Sequence, residues 1–130
     1  MVLVVTNPEV SAVRDADRII GLIESEEKGP ARLIINRLNA EMVKRGDMLA
    51  PEDVLELLAI NLIGIVPEDE NVMVSTNKGQ PVVLENKSRA GKSFMNIARR
   101  LMGEELPFDE VNEKEDFIKK LTKMFRSGGD

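Results

Sequence analysis

Three short aliphatic runs constrain the fold most. Val2-Leu3-Val4-Val5, Leu33-Ile34-Ile35 and Leu62-Ile63-Gly64-Ile65-Val66 are unbroken rather than alternating. A strand with one wet face alternates apolar and polar residues. A continuous β-branched run needs cover on both faces, which is the habit of parallel sheets. The stretches between the runs carry helical spacing. Asn7-Pro8-Glu9 reads as a helix start, with Asn as N-cap, Pro at the first position and an acid in the first turn. Val10, Val13, Ile20 and Ile23 then form one apolar stripe. Pro51-Glu52-Asp53 opens a second helix whose buried side is Val54, Leu55, Leu57 and Leu58, after a short helical turn around Met42. A third helix is expected over 68–76. A fourth is capped by Ser88, carries Ala90, Phe94, Ile97 and Leu101 at helical spacing, and stops at Gly103.

The order is therefore β-α-β-α-β-α-α. This predicts an α/β fold, a three-stranded parallel sheet with flanking helices and right-handed crossovers. Three strands leave a sheet of this type with an unpartnered edge. The expectation is the second half of a larger domain, or a protomer that borrows neighbours.

Composition narrows the chemistry. The 130 residues contain no Cys and no His, so thiolate chemistry and imidazole catalysis are excluded. The net charge of −5 speaks against general nucleic-acid binding, and no nucleic-acid partner is expected. No apolar run reaches the length of a membrane span. A cytoplasmic protein is the default expectation.

Ala90-Gly91-Lys92-Ser93-Phe94 ends like a phosphate-binding loop. Such a loop needs an earlier Gly at the place held by Asn86, and a strand feeding it. Pro81-Val82-Val83-Leu84 is a very short strand at best. Gly91-Lys92-Ser93 also falls inside the helical pattern of Ala90, Phe94 and Ile97. A phosphate cradle must precede a helix, where amides are free. The stretch is read as an ordinary first turn.

The chain end carries a stronger signal. Phe117, Ile118, Leu121, Met124 and Phe125 fall on one helical face. Lys119, Lys120, Lys123 and Arg126 cover the rest, with no acid between Phe117 and Arg126. A basic polar face with a Phe/Leu/Met apolar face is the composition of a helix lying in an anionic membrane interface. The same pattern fits a terminal helix docked on its own domain or in a partner groove. Residues 109–113 read as linker and 114–130 as this tail.

Several stretches in order resemble the carboxy-terminal half of the MinD family of deviant-Walker P-loop ATPases. They are Val4-Val5-Thr6-Asn7-Pro8-Glu9-Val10-Ser11, Val13-Arg14-Asp15-Ala16-Asp17-Arg18, Ile34-Ile35-Asn36-Arg37, Met42-Val43-Lys44-Arg45-Gly46-Asp47-Met48 and Glu52-Asp53-Val54-Leu55-Glu56. Gly64-Ile65-Val66-Pro67-Glu68-Asp69, Asn77-Lys78-Gly79-Gln80-Pro81-Val82 and Leu101-Met102-Gly103-Glu104 complete the series. The resemblance implies a P-loop NTPase-like fold, with residues 1–108 as the second half of the ATPase domain and the phosphate loop upstream of this chain. It implies septum placement by an ATP-dependent dimer that recruits a division inhibitor to the inner face of the cell membrane, with ATP and Mg²⁺ as cofactors of the full-length family; this chain alone is expected neither to hold them tightly nor to hydrolyse ATP. A flagellar-placement relative and a non-enzymatic membrane adaptor are the alternatives.

The resemblance also distributes roles. Asn36 and Arg37 close a strand, where ligands of α/β sheets bind; the resemblance makes them an adenine pocket, with Pro67, Glu68 and Asp69 as the other wall. Glu9, by composition a favourable first-turn acid, falls at the family's dimer interface. Ser11, Arg14, Asp17 and Arg18, by composition a solvated helix face, fall where the family docks MinC-like and MinE-like or topological-specificity partners. The tail falls at the family's membrane-targeting helix.

Overall fold

Each aliphatic run is a strand in the structure, a computed structural model that describes residues 1–108. The linker at 109–113 and the tail residues Phe117, Ile118, Lys119, Lys120, Leu121, Lys123, Met124, Phe125 and Arg126 lie outside the described residues. Strand β1 spans Val2–Thr6, β2 Ala31–Leu38 and β3 Asn61–Pro67. They pair in parallel in the order β1-β2-β3. Helix α1 spans Val10–Ser25, α2 Ala40–Lys44, α3 Pro51–Leu58, α4 Glu70–Asn77 and α5 Arg89–Leu101.

The continuity of the runs has a direct structural cause. Leu33 and Ile35 point to one face of β2 and meet Val13, Ala16 and Ile20 of α1 and Val54 and Leu58 of α3. Ile34 points to the other face, where it meets Ile63, Val66 and the Ala90 and Ile97 side chains of α5. Both faces are covered, so neither parity can be polar. Leu33, Ile35 and Val54 are fully excluded from solvent. Burial of each such side chain is worth about 2 kcal/mol.

Strand β1 is different. Among the described residues it has a strand neighbour on one side only. Val4 and Thr6 are buried beneath α1, whereas Leu3 and Val5, on the opposite parity, remain 41% and 58% exposed. The cluster around α5 draws on β2 and β3 and stops short of β1.

Three local expectations are corrected. The helix start at Asn7-Pro8-Glu9 is displaced: α1 begins at Val10, with Glu9 as an N-cap whose side chain makes no capping bond. Pro8 is buried, its carbonyl accepts from the Leu49 amide at 3.2 Å, and the Glu9 amide turns back to the Asn7 carbonyl at 2.8 Å. A loop distant in sequence thus holds this turn, and capping signals do not register such contacts. Val10 and Leu57, expected on buried faces, are 55% and 59% exposed. Val10 lies in the first turn, past the end of β1. The buried side of α3 is Pro51, Val54 and Leu58, so Leu57 falls about 100° away. Finally, Val82–Leu84 is a 3-10 turn rather than a strand.

Candidate functional site

Parallel pairing sets the carboxyl ends of β2 and β3 side by side. Leu38 is in register with Pro67, and the Glu68 amide donates to the Leu38 carbonyl at 2.9 Å. Successive residues of a regular strand point to opposite faces. Here the ladder is irregular between Ile35 and Leu38, and Arg37 adopts φ 58°. This left-handed conformation costs a side-chain-bearing residue on the order of 1 kcal/mol. It lets Asn36 and Arg37, neighbours in the chain, line the same cavity of about 520 Å³.

Pro67, Glu68 and Asp69 form the adjoining wall, so the structure brings together all five residues expected there. The two carboxylates have separate partners. Glu68 Oε1 accepts from Arg37 Nη2 at 3.4 Å, and its Oε2 accepts from Asn39 Nδ2 at 3.2 Å. The Arg37–Glu68 pair is well exposed and adds little stability; its effect is to orient the guanidinium at the rim. The Asn36 side-chain amide makes no bond to the described residues and is open to the cavity.

Asp69 ties helices together. Its Oδ1 accepts from the Asn71 amide at 2.9 Å and caps α4. Its Oδ2 accepts from the Ser88 hydroxyl at 2.7 Å and from the Ala90 amide at 3.1 Å. Partial burial pushes the Asp69 pKa up. The hydrogen bonds from Ser88, Asn71 and Ala90 outweigh that and hold the carboxyl below its ordinary value. A depressed native pKa stabilises the fold above the unfolded value, about pH 4, and that share is lost as pH falls through the lowered native value. Asp69→Asn removes this titration. Thermal unfolding followed over an acid series is expected to give a shallower loss of stability below about pH 4 than the unsubstituted chain shows.

Val66 of β3 and Glu70 at the start of α4 also line the cavity, and the helices add apolar side chains. Val72 and Met73 enter from α4 and Phe94 from α5. Sequence reasoning missed them as site residues. The available signal was Phe94, one turn after the buried Ala90 and on the same helix face.

The Gly-Lys-Ser stretch is a helix start. The Gly91 amide is capped by the Ser88 hydroxyl oxygen at 2.9 Å, and the Ala90 amide is held by Asp69. A Cβ on Gly91 would lie 2.8 Å from the Val82 carbonyl oxygen, which explains the glycine without any phosphate. Lys92 points to solvent. Lys92→Ala is expected to leave the unfolding free energy unchanged within about 0.5 kcal/mol, whereas Gly91→Ala lowers it by roughly 1–3 kcal/mol. Denaturant titration of both variants distinguishes a packing glycine from a phosphate-loop glycine.

Ser11, Arg14, Asp17 and Arg18 are exposed along α1, with Arg18 and Asp15 3.9 Å apart. Glu9 is exposed at the start of that helix. None of these five lines the cavity. Among the described residues no group of three or more carboxylates could hold a metal ion.

A parallel sheet with helices on both faces, and a cavity at the carboxyl ends of adjacent strands, is an α/β fold of the kind whose ligands bind outside the strand ends. Comparison with known proteins names the relative. The chain is a homologue of the carboxy-terminal part of the septum site-determining protein MinD. It is 56% identical to MinD of Synechocystis over 107 residues, covering 82% of this chain and 40% of that protein. MinD of Aquifex aeolicus superposes with a TM-score of 0.79 at 50% identity, covering 82% of this chain and 45% of that one. The MinC:MinD complex from the same organism gives a TM-score of 0.78 at 50% identity, covering 81% and 43%. MinD of Pyrococcus horikoshii, solved with Mg-ADP, shares the fold at a TM-score of 0.64 and 22% identity, covering 76% and 40%. The chain thus spans less than half the length of these relatives. A scan against family models found no match.

Proposed function

We propose that this chain is the base-recognising and carboxy-terminal portion of a MinD-type ATPase that takes part in placing the division site. One observation carries the reading: Asn36 and Arg37 share a cavity with Pro67 and Glu68, and helices close it with apolar side chains. Its volume of about 520 Å³ is in the range of small-ligand sites. An amide presents both a donor and an acceptor to a base edge, and a guanidinium stacks on a ring face. Those are the needs of an adenine ring. In this reading ATP is the ligand, with Mg²⁺ on its phosphates. The described residues fit the base, and the phosphates and metal are not assigned to them.

The remaining roles follow by homology. The partner of MinD in the Aquifex complex is MinC, and the exposed face of α1, with Ser11, Arg14, Asp17 and Arg18, is the surface proposed for a MinC-like or MinE-like partner. Glu9 belongs to the proposed ATP-dependent dimer contact. The basic amphipathic tail supplies reversible attachment to anionic lipid on the inner face of the membrane. One such helix binds weakly; two in a dimer gain from effective concentration.

Adenosine added to the 130-residue chain tests the base reading without needing a phosphate site. Amide signals of Asn36, Arg37 and Glu68 are expected to move, and Arg37→Ala to weaken adenosine by about fivefold. An equal response to ribose alone would sink the reading.

A further inference from the structure

The polar groups of the cavity come from the strand ends and from Glu70 at the start of α4, whereas Val72, Met73 and Phe94 of α4 and α5 add to the apolar surface of Val66 and Pro67. Among its lining residues Phe94 is the only aromatic. Phe94 is 37% exposed, so part of its ring is turned toward space that a ligand can fill. Nothing local requires a phenylalanine there. The helix face that packs on the sheet is already supplied by Ala90 and Ile97.

The placement of Phe94 is fixed from the opposite wall. Ser88 is fully buried and caps α5 through Gly91. Its hydroxyl donates to Asp69 at 2.7 Å, and the next link, from the Ala90 amide to the same oxygen, is 3.1 Å. Ala90 has no exposed surface. Pinning Ala90 by its amide and its side chain sets the rotation of α5, and Phe94 stands one turn further on the same face. Asp69 directly follows Glu68, which holds Arg37. The two carboxylates thus set the guanidinium on one side of the cavity and the phenyl ring on the other element.

We propose that Phe94 is the specificity-determining residue of the cavity, an aromatic face for a purine ring, and that Asp69 and Ser88 are positioning residues that hold it in place. The inference rests on the base-site reading above. A purine offers more π-surface to a phenyl face than a pyrimidine does, while the edge contacts of Asn36 remain open to either. Selectivity for purine over pyrimidine therefore resides in α5, within the stretch that imitates a phosphate loop, and arises from its phenylalanine rather than its lysine.

The experiment is a titration of the 130-residue chain with adenosine and with cytidine, followed by amide signals of Asn36 and Arg37. Phe94→Ala is expected to weaken adenosine about tenfold and cytidine by clearly less, so that the ratio between them falls. Phe94→Trp is expected to restore the preference. Ser88→Ala is expected to reduce the adenosine-to-cytidine ratio while Arg37 still responds, a change in selectivity that a loss of stability alone does not produce. Undiminished adenosine preference in Phe94→Ala, with Asn36 and Arg37 responding as in the unsubstituted chain, overturns the inference while the base site stands. If adenosine leaves Asn36 and Arg37 unmoved in the unsubstituted chain, the base-site reading fails and the inference falls with it.

Discussion

Gly64→Ala is expected to destabilise the chain by roughly 3 kcal/mol, lowering its unfolding midpoint by on the order of 15 °C. Gly64 lies in β3 on the face covered by α5. A Cβ built there would occupy the space of the Ile97 Cγ1 and Cδ1 atoms. Ile97 is itself buried, so its side chain has little room to retreat. The glycine is therefore what permits α5 to approach the sheet closely. A double substitution checks this cause. In an Ile97→Ala background, adding Gly64→Ala is expected to cost far less than it does alone, because the opposing atoms are gone. Equal costs in both backgrounds would show that strand propensity, not the contact with Ile97, explains the loss.

Phe117→Glu combined with Phe125→Glu is expected to abolish binding to anionic vesicles. Each substitution removes the burial of a large aromatic side chain, about 2–3 kcal/mol, and adds a charge of the wrong sign beside the lipid. Together they amount to a loss of roughly a thousandfold or more. Co-sedimentation with vesicles containing phosphatidylglycerol reads the effect directly. Unchanged binding would overturn the membrane role proposed for the tail. If the proposed tail holds anionic lipid through its basic face, raising the salt concentration is expected to weaken the unsubstituted chain as well, by screening that attraction.

Much of the architecture is legible in the residues alone, for an identifiable reason. Leu33-Ile34-Ile35 is continuous because α1 and α3 take one face and α5 the other. Such a run forces the parallel, doubly covered arrangement. Ser88 reads as a cap from its own chemistry, and its hydroxyl does cap Gly91. The errors share a cause. Asn7-Pro8-Glu9 has every local mark of a helix start, but the contact between Pro8 and Leu49 holds it as a turn. Leu57 matches an apolar stripe, yet the sheet contacts only the side carrying Pro51, Val54 and Leu58.

The candidate site divides along the same line. Asn36, Arg37, Pro67, Glu68 and Asp69 sit at strand ends, and the parallel order alone places strand ends together. Phe94 and Met73 were not legible as site residues because they arrive on helices whose rotation is set by tertiary bonds. The Asp69–Ser88 bond joins residues with two helices' worth of capping between them. No periodicity announces such a bond.

The spatial order β1-β2-β3 is also the order in which a ribosome delivers the strands. Each of these three strands pairs with a neighbour in sequence, so none of the pairings among them joins strands that are distant in the chain. At the opposite margin β1 has no strand neighbour among the described residues, and its Leu3 and Val5 side chains are left partly uncovered. Nascent-chain partners that recognise exposed aliphatic strands would find a binding site there for as long as no other strand closes it.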